Sequence, residues 1–106
     1  MSFFKDEERK LIKEDLLKIR YYYSYRKTLQ EASEICSVNY ILEKIKLYNS
    51  LIVKAHIRLY HIYYELYICG HSVESLANKL CFSSDYIAKL NVRLVNFFKE
   101  QIYTNS

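Results

Sequence analysis

Val73-Glu-Ser-Leu-Ala-Asn-Lys-Leu-Cys-Phe-Ser-Ser-Asp-Tyr-Ile-Ala-Lys-Leu-Asn-Val-Arg93 decides how this chain is read, because its spacing is that of two short helices around a tight turn. Ser72 caps a helix holding Val73, Leu76, Ala77 and Leu80, Cys81-Phe82-Ser83 makes the turn, and Ser83 caps a second helix from Ser84 to about Ile102. Two helices crossing steeply need a small residue at their approach, which Ala77 supplies. Val73, Leu76, Leu80, Phe82, Ile87 and Leu90 fill the wedge between them. The spacing therefore predicts a helix-turn-helix. Cys81 occupies the turn position usually given to glycine, the one departure from the pattern, which is tolerable if the turn avoids positive φ. Beyond it, Leu94 and Phe97 or Phe98 continue the apolar face of Ile87 and Leu90 into the core.

Upstream, Gly70 is placed to end a helix in a left-handed C-cap. The helix it ends is expected to run from about Tyr40 to Cys69, roughly 45 Å at 1.5 Å per residue. Ile41, Ile45, Tyr48, Ile52, Ala55, Leu59, Ile62 and Leu66 are spaced alternately by four and three, the period of a coiled-coil seam against an antiparallel neighbour or a second subunit. Tyr60, Tyr63, Tyr64 and Tyr67 crowd the last turns beside that seam and need a further surface to cover them. An earlier amphipathic helix is predicted from Asp6 to about Glu34, with Leu11, Ile12, Leu16, Leu17, Ile19, Tyr22, Tyr23, Tyr25, Leu29 and Ala32 on its apolar side. Asp6, Glu7 and Glu8 at its start complement the helix dipole. The break between the two falls at Ser33–Asn39, where Ser37 or Asn39 can cap the second helix.

The expected fold class is all-α: a long antiparallel helical hairpin over 1–70 for scaffolding and dimerisation, then a helix-turn-helix over 71–106, in one compact unit. Composition agrees. The 106 residues contain no proline and one glycine, leaving little from which to build the turns of a small β-protein. Eight residues is the longest run free of Asp, Glu, Lys and Arg, at Ile35–Leu42 and Leu66–Val73, against about 20 needed to span a bilayer. Neither a transmembrane helix nor a secretory signal is expected, and the chain is read as cytoplasmic. Cys36, Cys69 and Cys81 are odd in number and set among apolar neighbours, which reads as reduced core thiols. The net charge of +4 is spread: eight basic and seven acidic groups in 1–35, four and two in 36–70, four and three in 71–106. Such a balance permits an anionic partner without requiring one.

Enzyme chemistry finds little footing. His56 and His61 lie five apart, His71 stands alone, and the cysteines have no histidine base at motif spacing. Glu14-Asp15 sits on a lysine-laced face where Glu14 and Lys18 pair at i,i+4. The chain is read as no enzyme, with no cofactor and no metal. The twelve tyrosines read as core filling rather than base-stacking platforms, which helices rarely present.

The helical hairpin, then Gly-His-Ser-Val-Glu-Ser-Leu-Ala-Asn-Lys-Leu-Cys-Phe-Ser-Ser-Asp-Tyr-Ile-Ala-Lys-Leu over 70–90, then an amphipathic tail with Arg93, resembles the small ArpU-type phage transcriptional regulators. Their C-terminal part is similar to sigma-factor region four. The resemblance implies control of transcription from a phage or mobile element, with the helix over 84–101 in the major groove of double-stranded DNA. Ser84, Asp85 and Lys89 are then the candidates for base-edge contact, Asp85 accepting from cytosine and Lys89 donating to guanine. Tyr86 is a candidate for a phosphate or a thymine methyl; Arg93, Lys79 and the cap serines Ser72 and Ser83 are candidates for phosphates.

A homodimer is expected, because two half-sites raise the affinity of a weakly basic motif. The alternative reading is a protein-binding module that grips RNA polymerase, a host regulator or a defence enzyme. Asp85 and the tyrosine-rich second helix favour it.

Overall fold

The computed structural model describes the backbone of residues 3–31 and 35–104 and the side chains of residues 7–25 and 40–103. The described residues form α1 (Phe3–Glu31), α2 (Ile35–Ile52), α3 (Ile57–Tyr63), α4 (Val73–Leu80) and α5 (Ser84–Lys99), with no strand among them. A π-helical turn extends α3 over Tyr64–Ile68, and another extends α5 over Glu100–Thr104. No described helix is long and apolar enough to cross a membrane.

The first helix starts three residues earlier than expected and bends at Tyr25, whose φ of −125° and ψ of 18° are not helical. No proline or glycine marks that kink. Its buried positions Ile12, Leu16, Ile19 and Tyr22 recur by three and four, as the amphipathic reading requires. Ala32 and Ser33 lie outside the described residues. The next helix is already formed at Ile35, so the backbone of Ser37 and Asn39 lies inside it rather than at its start, and their side chains lie outside the described ones.

The single helix expected from Tyr40 to Cys69 is two helices. Lys54 and Ala55 donate their backbone N–H groups to Leu51 and Ile52 at 3.0 Å, the short bonds that close α2. His56 then turns extended (φ −57°, ψ 146°), and its Nδ1 accepts the Arg58 N–H at 3.1 Å, capping α3. The 3.5-residue period hid this break for a physical reason. Ile45, Tyr48 and Ile52 before it and Ile62 and Leu66 after it are all buried in one core, so the stripe stays in register while the axis changes direction. Ile41, Ala55 and Leu59 pack half-buried on the same cluster. The seam is thus intramolecular.

The helix α1 packs against α2, α5 and the π turn of α3, while α3 lies along α5. At their meeting point Phe98 is fully buried, with its ring 4.6 Å from Tyr48 and 5.6 Å from Tyr63. Three of the buried tyrosines carry their hydroxyls to an acceptor. Tyr48 donates to Asp15 Oδ2, Tyr63 to Asn49 Oδ1 and Tyr67 to Asn91 Oδ1, each at 2.7 Å. Burial is what first pushes the Tyr48 and Tyr63 phenols above their ordinary range, and the Asp15 carboxylate adds to this at Tyr48. Lys44 closes the group on Asp15 at 3.3 Å and stands 4.9 Å from the Tyr40 ring. These three tyrosines fit the core-filling reading, but Tyr21, Tyr25, Tyr40, Tyr60, Tyr64 and Tyr103 are exposed, so core filling accounts for only part of the tyrosine content.

Candidate nucleic-acid interface

The two short helices begin as their serines specify. Ser72 Oγ accepts the Ser75 N–H at 3.0 Å, and Ser83 Oγ accepts the Tyr86 N–H at 3.1 Å. The turn between them corrects the expectation for Cys81. Its φ is 63° and its ψ 35°, the left-handed conformation that favours glycine. In that geometry Phe82 N–H reaches Ala77 O at 2.9 Å and Cys81 N–H reaches Asn78 O at 3.3 Å, satisfying two terminal carbonyls of α4. The paired closing bonds require the left-handed residue, whatever its side chain.

Leu76, Ala77, Ile87 and Leu90 are buried in the wedge, with Val73 and Leu80 half-buried beside them. Phe82 does not fill it. It is 45% exposed and rests edge-on against Tyr86, ring centres 4.9 Å apart.

The helix α5 has two faces. Ile87, Leu90, Leu94, Val95 and Phe98 are buried, whereas Ser84, Asp85, Ala88, Lys89, Val92 and Arg93 form an exposed stripe. Four expected contact residues, Ser84, Asp85, Lys89 and Arg93, therefore lie together on one solvent-facing side. The other four are engaged elsewhere, Ser72 through its hydroxyl, which accepts the Ser75 N–H as a cap. The Ser83 hydroxyl serves as the cap, and Tyr86 is half-buried with its hydroxyl accepting from Arg58 Nη1. Lys79 pairs with Glu65 at 3.3 Å.

Arg58 is the residue that sequence reasoning missed. It lines a groove with His56, Leu59, Tyr86, Leu90 and Arg93, so a second guanidinium stands beside the stripe of α5. The unpredicted break after α2 brings it there, by turning α3 along α5. Around this face Arg58, Lys89 and Arg93 outnumber Asp85, and Asp85 itself sits in the first turn of α5, where the helix dipole favours an anion.

A second cluster lies on the opposite end of the motif. Glu65, buried at 7% exposure, receives Lys79 at 3.3 Å, His61 Nε2 at 3.3 Å and His71 Nε2 at 3.5 Å. Burial alone would push the Glu65 carboxyl up, but Lys79 and His61 outweigh it and hold it below the usual carboxylate range. His71 therefore does not stand alone. Cys69 and Cys81, expected in the core, are both exposed, because both lie in the connections that bound α4. Cys36 is outside the described side chains. Gly70, between Cys69 and His71, adopts the expected left-handed conformation at φ 78°, and its carbonyl accepts from Arg20 Nη2 at 2.9 Å.

No protein-family model, curated protein or solved structure matches this chain.

Proposed function

We propose that this protein is a small sequence-specific DNA-binding transcriptional regulator of phage or mobile-element origin, of the ArpU type, acting in the cytoplasm. The observation that carries the reading is the exposed stripe Ser84, Asp85, Ala88, Lys89, Val92 and Arg93 on the second helix of a capped helix-turn-helix. In this reading the first half of α5 enters the major groove. Lys89 and Asp85 meet base edges, and Arg93 and Arg58 hold phosphates on either side. The second half of α5, through Leu94 and Phe98, anchors that helix in the core, so the reading face is held rigidly. The function is binding rather than catalysis.

A homodimer belongs to this proposal, but the seam of α2 and α3 is consumed within the chain. Leu17, Tyr21 and Tyr25, at i, i+4 and i+8 on α1, remain 59%, 54% and 52% exposed and are the stripe assigned to a second copy. A Leu17→Glu, Tyr21→Lys variant is expected to run as a monomer by light scattering while keeping its helicity. An unchanged mass refutes that face.

One observation favours the protein-binding alternative. Ile57, 72% exposed, lines an apolar hollow with Arg58, Tyr60, His61 and Tyr64. Salt separates the two readings. Binding to a duplex through n phosphates weakens with a slope of about −0.9n in log K against log salt, and removing Lys89 and Arg93 lowers that slope by about 1 to 2. Duplex binding that is absent or insensitive to salt, by a folded protein, overturns the DNA reading and selects the protein partner.

A further inference from the structure

Glu65, Cys69 and His71 place a carboxylate oxygen, a thiol sulfur and an imidazole nitrogen within 4.8 Å of one another, where α3 hands the chain to α4. His61 joins them from one turn earlier, with Nε2 3.3 Å from Glu65 Oε2. We propose that Glu65, Cys69 and His71 hold a single zinc ion, or an ion of the same borderline-soft class, with solvent in the fourth position and His61 against the second carboxylate oxygen.

The geometry supports this in three ways. In a tetrahedral site with metal–ligand distances of about 2.0–2.3 Å, ligand atoms stand roughly 3.3–3.8 Å from each other. The His71 Nε2–Glu65 Oε1 separation of 3.5 Å already has that value. The sulfur, within 4.8 Å of both, can close in, because Cys69 sits in the exposed connection that follows the π turn. The donor set also fits one class of ion. Thiolate, imidazole and carboxylate together suit zinc, whereas calcium and magnesium take oxygen ligands. Finally, the site has supporting contacts. His61 Nε2 steadies the second Glu65 oxygen at 3.3 Å, and Gly70, between the two C-terminal ligands, is pinned through its carbonyl to Arg20 at 2.9 Å.

Lys79 Nζ, 3.3 Å from Glu65 Oε1, holds the position the ion would take next to the carboxylate. Its side chain is half exposed, so it swings into water when the ion binds. The thiol and any protonated imidazole give up their protons to solvent, and the ion remains divalent throughout. The bound ion would join α3, its π turn and the entry to α4, fixing the helix-turn-helix on the rest of the chain.

The test is titration of the reduced full-length protein with Co2+, which reports sulfur coordination as a near-ultraviolet charge-transfer band and tetrahedral geometry as visible ligand-field bands. The expected result is one Co2+ per chain, displaced by Zn2+. Both bands are lost in Cys69→Ser and weakened in His71→Ala, but are unchanged in Cys36→Ser and Cys81→Ser. Lys79→Ala is expected to tighten binding, because Lys79 competes for the Glu65 carboxylate. Because Cys69 is exposed, Cys69→Ser keeps the helicity of the parent, which circular dichroism verifies. Absence of the sulfur band in the parent protein, or its persistence in Cys69→Ser, overturns the proposal.

Discussion

Replacing Cys81 by glycine should stabilise this protein. Cys81 holds φ 63° and ψ 35°, where a side chain's Cβ crowds the following carbonyl at a cost of about 1–2 kcal/mol. Glycine removes that cost but adds roughly 0.5–1 kcal/mol of unfolded-chain entropy. Cys81 is exposed, so little packing is lost. The difference is a gain of about 0.5–1 kcal/mol, which corresponds to a rise in Tm of roughly 2–8 °C for a chain of this size. Cys81→Val should move the other way by more than 1 kcal/mol, because a β-branched residue tolerates this conformation least. Thermal melts followed by circular dichroism, with reductant present, measure all three proteins. A glycine variant no more stable than the parent, or a valine variant equal to it, would show that the turn is not left-handed at Cys81. The two bonds from Phe82 and Cys81 back to Ala77 and Asn78 would then be wrongly placed as well.

Further outcomes follow from the same contacts. Tyr48→Phe removes a hydroxyl that donates to Asp15 Oδ2 at 2.7 Å and should cost about 1.5–3 kcal/mol by urea denaturation, the range for bonds to charged groups. Phe98→Ala empties the point where Tyr48 and Tyr63 meet, so a loss of roughly 3–5 kcal/mol in the same assay, or outright unfolding, is expected. Glu65 is held ionised below the usual carboxylate range by Lys79 and His61, so its contribution is present above the unfolded carboxylate pKa. That contribution is lost as pH falls through the depressed folded value; acid titration of Glu65→Gln should therefore show a flatter decline than the parent. Parallel curves would remove Glu65 from the account of acid stability.

The sequence was legible where local chemistry repeats and silent where only three dimensions decide. Ser72 and Ser83 cap what they appear to cap, because a serine preceding an apolar helical pattern satisfies orphan N–H groups without help from the rest of the fold. The amphipathic stripes of α1 and α5 are likewise local, although on α1 only Ile12, Leu16, Ile19 and Tyr22 are buried while Leu11, Leu17 and Tyr25, expected on the same side, are exposed. The break at Val53–His56 left no such mark. It needs neither glycine nor proline, its cap is a histidine, and the apolar period runs through it undisturbed. Missing it hid Arg58, which belongs to the candidate interface only after α3 has turned onto α5. The Glu65 cluster was hidden differently. His56 and His61 lie five apart, which is no metal spacing, and the three ligand atoms within 4.8 Å of one another belong instead to Glu65, Cys69 and His71, residues that no short motif links. Cys81 was misjudged because residue preference was weighed ahead of the paired hydrogen bonds that the turn must make.

Selection of bound fragments from a random duplex library at roughly 0.15 M salt tests the central claim most directly, run beside the Lys89→Ala, Arg93→Ala double variant. The account predicts enrichment of a motif with two half-sites about 34 Å apart, lost in the variant although its melting curve matches the parent. No enriched motif from the folded parent protein, or the same motif from the variant, would contradict the assignment of α5 as a DNA-reading helix.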